Sequence, residues 1–184
     1  MPPDRHATRA GAGPAATPAT RVLAVAGVPY TVHAYVHDPG VREYGREAAA
    51  ALDVDPDRVF KTLLVEADGQ LGVAVIPVPD LLDLKAWAQV RGARRAALAE
   101  PGTAERVTGY VIGGISPLGQ RRGLPTVIDS SAAGHRTILV SAGRRGLDVE
   151  LAPEDLRQLT EARLAPIRRP RSDRGGRLRD SGSG

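Results

Sequence analysis

The chain has 184 residues, 42% hydrophobic but only 3% aromatic, which fits one domain whose core is built from Val, Leu, Ile and Ala. It has no cysteine, which excludes disulfides, thiolate metal sites and a cysteine nucleophile, and which fits a cytoplasmic protein. The net charge of +4 gathers at the ends: residues 168–184 hold six Arg against two Asp, residues 1–19 stand at +1, and residues 20–167 come to −1, and a near-neutral central part argues against strong autonomous RNA binding.

Residues 1–16 are rich in Ala, Gly and Pro and read as a disordered tail without the apolar run of a secretory signal. No stretch reaches the ~18 apolar residues of a membrane span. Thr17 and Pro18 open a helix that Gly27 ends. Tyr30 to Tyr35 alternates as a strand, Asp38-Pro39-Gly40 turns, and Glu43 to Leu52 is an Ala-rich helix. Asp55-Pro56 starts a short helical turn, and Phe60–Val65 and Leu71–Pro77 form a hairpin about Asp68-Gly69. Asp83 caps a helix to about Arg91; a short helix is expected before Pro101 and another from Thr103 to Val107. Gly113 to Gly119 is a loop. Strands at Thr126–Asp129, Thr137–Ser141 and Leu147–Leu151 follow, and Pro153 starts a final helix carrying Leu156, Leu159 and Leu164. Hairpins mixed with helices, without a regular βαβ rhythm, give an α+β class with a curved, mixed, barrel-like sheet flanked by helices. The expected limits are an N-terminal tail at 1–16, one domain at 17–167 and an Arg-rich C-terminal tail at 168–184. By composition that last tail is a solvated end, with loose phosphate binding as the alternative.

Several chemistries lack support. There is no phosphate-cradling GxxxxGK[ST] loop and no HExxH. The run Gly114 to Gly119 is one residue too long for a GxSxG nucleophile turn, and Pro117 disfavours the helix that should follow. His33 and His37, four apart, share one face of a strand, but no third metal ligand is evident; they read as polar strand-end residues, one of them placed to line a pocket beside Tyr35.

Lysine is scarce: of 25 Lys and Arg, only Lys61 and Lys85 are lysines. Lys61 sits in an apolar strand. The pattern fits equally a desolvated pocket cation and a lysine that blunts a sheet edge. Gly113-Gly114 fits a backbone that approaches a ligand, although composition favours a plain turn. Ser141 and Asp148 near strand ends are common and weakly informative by themselves.

Taken in order, Val36–Pro39, Val59–Val65, Leu82–Lys85, Thr108–Gln120, Leu124–Asp129 and Ser141–Leu151 resemble the YbaK/EbsC family, the Cys-tRNA(Pro)/Cys-tRNA(Cys) deacylases related to the editing domain of bacterial prolyl-tRNA synthetase. The resemblance runs from about Thr20 to Ile167. It implies that family's fold, places the essential lysine at Lys61, and maps pocket residues onto Tyr35, Gly113, Ser141 and Asp148. Gly113 and Gly114 then offer backbone N–H groups to a developing oxyanion. The implied reaction has no enzyme nucleophile: the thiol of the esterified cysteine attacks its own carbonyl. Implied partners are aminoacyl-tRNA(Pro) and prolyl-tRNA synthetase, with no metal, cofactor or membrane. A related deacylase for Ala-tRNA(Pro) and a non-catalytic tRNA acceptor-end module are the alternatives. Arg42 departs from the small polar residue usual in relatives, a change expected to bear on how substrate reaches the pocket.

Overall fold

The computed structural model describes residues 16–171; residues 1–15 and 172–184, parts of the tails expected at 1–16 and 168–184, lie outside the described residues. The described chain is α+β. Its helices are α1 (Pro18–Ala26), α2 (Tyr44–Leu52), α3 (Leu84–Arg91), α4 (Pro101–Thr108) and α5 (Pro153–Thr160). The strands are β1 (Tyr30–Ala34), β2 (Val59–Ala67), β3 (Gln70–Pro77), β4 (Leu81–Leu82), β5 (Ala96–Leu98), β6 (Thr126–Asp129), β7 (Ile138–Arg144), β8 (Leu147–Leu151), β9 (Arg163–Ala165) and β10 (Arg168–Arg169). One large sheet runs β1-β8-β7-β2-β3-β6-β9, with β5 also paired to β2; β10 and β4 form a separate ribbon. The large sheet is mixed: β2·β3 and β7·β8 are antiparallel, β2·β7 and β3·β6 parallel.

Local chemistry sets the element ends. Thr17 and Thr20 cap α1 reciprocally, and Gly27 ends it at φ 68°. Asp83 caps α3 by accepting the Ala86 N–H. Asp68 and Gly69, at φ 47° and 78°, supply the left-handed pair that a tight hairpin needs between β2 and β3. Residues 73–76 of β3 are almost wholly buried, because cores lie on both faces of the sheet. One holds Phe60, Leu64, Val75 and Val140; the other holds Val65, Ile76, Trp87 and Val127.

Four expectations change. The segment before Pro101 is β5, not a helix. Ala97 pairs with Glu66, because the second half of β2 would otherwise expose its backbone groups, and pairing outweighs alanine's helix propensity. The last helix stops at Thr160, with Glu161 at φ 51°. Leu164 instead joins β9 opposite Ile128, extending the parallel part of the sheet. The domain does not end at 167: Arg168 and Arg169 pair with Leu82 and Leu81. His37 lies past the end of β1, so the two histidines separate. His33 binds Glu150 and His37 binds Glu47, at 2.8 and 2.7 Å.

One irregularity positions the site. The whole length of one side of β2 is taken by β3. Its other side is shared, with β7 on Val59–Phe60 and β5 on Val65–Ala67. Between them the ladder is broken, and only the Leu64 carbonyl is met, by the Ala99 N–H at 2.9 Å.

Candidate active site

The break in β2 opens into a cleft of about 420 Å³, within the size range of small-molecule sites. Its floor is Lys61 to Leu64; the N-terminal end of α2, the loop at Ile112–Gly113 and the β7–β8 hairpin form its walls. Antiparallel strands turn alternate residues' backbone groups to opposite sides. Val59 accepts from Val78 on the β3 side, so Lys61 and Leu63 face β3 as well, and Thr62 turns its N–H and C=O into the break. The Thr62 hydroxyl is buried and has no hydrogen-bond partner among the described residues.

Lys61 is half-buried and is not an edge residue: it sits opposite Ile76 in the body of the sheet. Its Nζ donates to the carbonyl oxygens of Val78 at 3.1 Å and Asp80 at 2.7 Å. An ammonium has three N–H donors, so one remains for a ligand. Among the described residues its hydrogen bonds go to carbonyls and not to a carboxylate. Burial lowers its pKa, Arg171 adds to this, Asp80 opposes, and Arg46 and Glu43 contribute less.

Across the cleft, β7 and β8 bring Ser141 opposite Asp148. Asp148 is 5% exposed, and burial pushes its carboxyl up to about 6, against the pull of His33. Tyr35 lies beside it, its N–H bound to the Gly146 carbonyl at 2.9 Å. Burial first, then Asp148, raise its phenol pKa, so Tyr35 stays a neutral donor. The Ser141 hydroxyl accepts only the Gly143 N–H, at 3.3 Å.

Gly113, at φ 86°, leans on the Tyr44 ring, where a Cβ would fall 2.7 Å from ring carbons. Glycine is therefore required on steric and backbone grounds together. Arg145 holds the loop from the other side, bonding the Ile112 carbonyl at 2.9 Å with its guanidinium 5.0 Å from the Tyr44 centroid. The Gly113 N–H meets no acceptor among the described residues. Gly114 differs from expectation: it is buried, does not line the cleft, and gives its N–H to Val111 at 2.9 Å. A turn bond has claimed the donor that the pair of glycines was expected to offer.

The structure thus brings Tyr35, Lys61, Gly113, Ser141 and Asp148 to one cleft and leaves Gly114 behind it. It adds Thr62, Tyr44, Arg46 and Arg171. Thr62 was within reach of sequence reasoning as the polar neighbour of Lys61 inside an apolar strand. Arg46 carried no local signal, and Arg171 belongs to the Arg-rich stretch at 168–184, for which loose phosphate binding was the alternative.

A mixed sheet whose ladder breaks beside Lys61, with a cleft and a glycine loop facing the break, forms a small-ligand site. The chain belongs to the aminoacyl-tRNA editing domain family, whose pattern matches residues 38–159. It is 40% identical over 121 residues to EbsC of Enterococcus faecalis, named as a candidate Cys-tRNA(Pro)/Cys-tRNA(Cys) deacylase, covering 65% of this chain and 73% of that one. It is 36% identical over 83 residues to the proline–tRNA ligase of Moorella thermoacetica, covering 45% of this chain and 14% of the ligase. A crystal structure of a candidate trans-editing enzyme for prolyl tRNA synthetase superposes with a TM-score of 0.75 at 22% identity, over 86% of this chain and 99% of the other; at that identity it speaks for the fold.

Proposed function

We propose that this chain is a deacylase that clears cysteine mischarged onto tRNA(Pro), and acts also on Cys-tRNA(Cys). The observation that carries the reading is a cleft with a cation, hydroxyls and a backbone donor but no activated nucleophile. The chain has no cysteine, and among the described residues no base lies within hydrogen-bond reach of Ser141 or Thr62. The name borne by EbsC supports the substrate.

The nucleophile is then the substrate's own thiol. Its sulfur bonds to the ester carbonyl carbon, and the bond from that carbon to the ribose oxygen breaks. The thiol proton passes to the departing oxygen, leaving a thiolactone and free tRNA. The protein's part is orientation and electrostatics. The Gly113 N–H faces the developing oxyanion, a contribution of about 3–4 kcal/mol per donor in other enzymes. The remaining N–H of Lys61 holds the terminal adenosine's phosphate or the developing charge. Ionised Asp148 takes the α-ammonium group, with Ser141 and Tyr35 shaping the pocket and binding the ribose. Alanyl esters fit but have no thiol, and seryl esters offer a weaker nucleophile, so chemistry supplies discrimination that an apolar wall supplies poorly. A tRNA substrate and a cysteine-free chain fit a cytoplasmic protein. The near-neutral central part calls for help in holding tRNA, and the likeness to the proline–tRNA ligase supports prolyl-tRNA synthetase as the partner that presents it.

The test is deacylation of a panel of aminoacyl-tRNAs with and without prolyl-tRNA synthetase. Cys-tRNA(Pro) is expected to be cleared fastest, and Lys61→Ala to slow clearance at least about 100-fold, the order for one transition-state donor. Preferential clearing of Ala-tRNA(Pro) overturns the cysteine assignment, and full activity in Lys61→Ala overturns the lysine's role.

A further inference from the structure

Residues 168–171 lie beyond the stretch matched by the family, yet they are built into the site. Asp129, 1% exposed, accepts the Ile167 and Arg168 N–H groups at 2.8 and 2.9 Å. Asp80, 6% exposed, takes the Arg168 guanidinium at 2.8 Å. Pairing of β10 with β4 completes the anchor. The backbone carbonyl of the same Asp80 holds Lys61, so anchor and cleft are one structure.

This anchor delivers Arg171 to the cleft wall, where Arg42 and Arg46 also lie. Arg171 and Arg46 share the Glu43 carboxylate through long contacts of 3.6 and 3.8 Å. All three side chains are about half exposed or more. Contacts of that kind contribute little and leave most guanidinium donors unspent. With Asp80 neutralised by Arg168, the mouth sets three guanidinium groups against one carboxylate on the way to Lys61. Guanidinium forks match phosphodiester oxygens.

We propose that Arg171 and Arg46 form a phosphate subsite at the cleft mouth, which binds the backbone of the RNA strand whose 3′ end occupies the cleft. The choice of RNA as ligand rests on the function proposed above. Arg169 provides a matched control: it belongs to the same segment and carries the same charge, but it does not line the cleft.

The test is fluorescence anisotropy of the full chain with a labelled, uncharged single-stranded RNA ending in CCA, over a salt series. Each phosphate contact contributes about 0.7 to the slope of log K against log salt for single strands. Arg171→Ala and Arg46→Ala are each expected to weaken binding and flatten the slope by about 0.7, and Arg169→Ala to do neither. Equal effects of Arg169→Ala and Arg171→Ala, no effect of either, or no salt-dependent binding by the unmodified chain overturns the subsite. Deacylation measured in parallel separates the two ideas. Loss of the Arg171/Arg169 contrast in an active deacylase removes only the subsite. A clear contrast in a chain that clears no aminoacyl-tRNA removes only the deacylase.

Discussion

Asp148 is the residue whose chemistry has the most measurable consequence. Burial raises its pKa from 3.8 to about 6, so the folded protein binds its proton more tightly than the unfolded chain does. The stability linked to that proton is therefore full below about pH 4 and is lost as pH rises through about 6, a change on the order of 3 kcal/mol. Asp148→Asn removes this component. In denaturant titrations from pH 4 to 7, wild type minus variant stability is expected to fall across that window; a constant difference would assign the titration to another group. The same ionisation creates the charge that holds an ammonium group, so binding of substrate by the wild type is expected to strengthen over the pH range in which stability declines. Lys61 is the other half of this arrangement: a cation held by two carbonyls, across the cleft from a carboxyl that ionises as pH rises through about 6.

At the scale of elements, Asp129 at the end of β6 ties three segments together. It accepts N–H groups from Ser131, Ile167 and Arg168, at 3.0, 2.8 and 2.9 Å. Asp129→Ala leaves buried donors unmet and is expected to cost about 3 kcal/mol or more, read as a lower urea midpoint with an unchanged m-value. Much of this architecture was legible in the sequence wherever the cause is local. Thr17, Asp83 and the Asp68-Gly69 pair mark their element ends by their own chemistry. The exceptions are segments whose structure is set by a distant partner. Ala96–Leu98 becomes a strand because β2 needs one there, and Leu164 leaves the helical pattern for β6. In the site, Lys61 stood out because arginine replaces lysine almost everywhere else. Tyr35, Ser141 and Asp148 came from resemblance, since nothing in their immediate neighbours marks them. The place of Arg171 beside residues more than a hundred positions earlier depends on the anchor at Asp80 and Asp129, which no local pattern encodes.

For the molecule as a whole, β2 is the spine on which both cores are packed, and no helix among the described residues is long and apolar enough to cross a membrane. A spine strand should be the slowest part of a protein to exchange its amide hydrogens with solvent, since opening it means opening the whole sheet. The break in its ladder makes one exception. Lys61 and Leu63 bond toward β3 and should keep their hydrogens until global unfolding, whereas the Thr62 amide between them should exchange orders of magnitude faster. A deuterium map resolved to single amides will show Thr62 as fast between slow Lys61 and Leu63; equal protection of all three would mean the break is closed in solution. An occupant that bonds the Thr62 N–H should slow that single amide and leave its neighbours unchanged. The strand therefore carries its own isotope clock for the cleft, one that reports occupancy by any ligand, reactive or inert, without a turnover event.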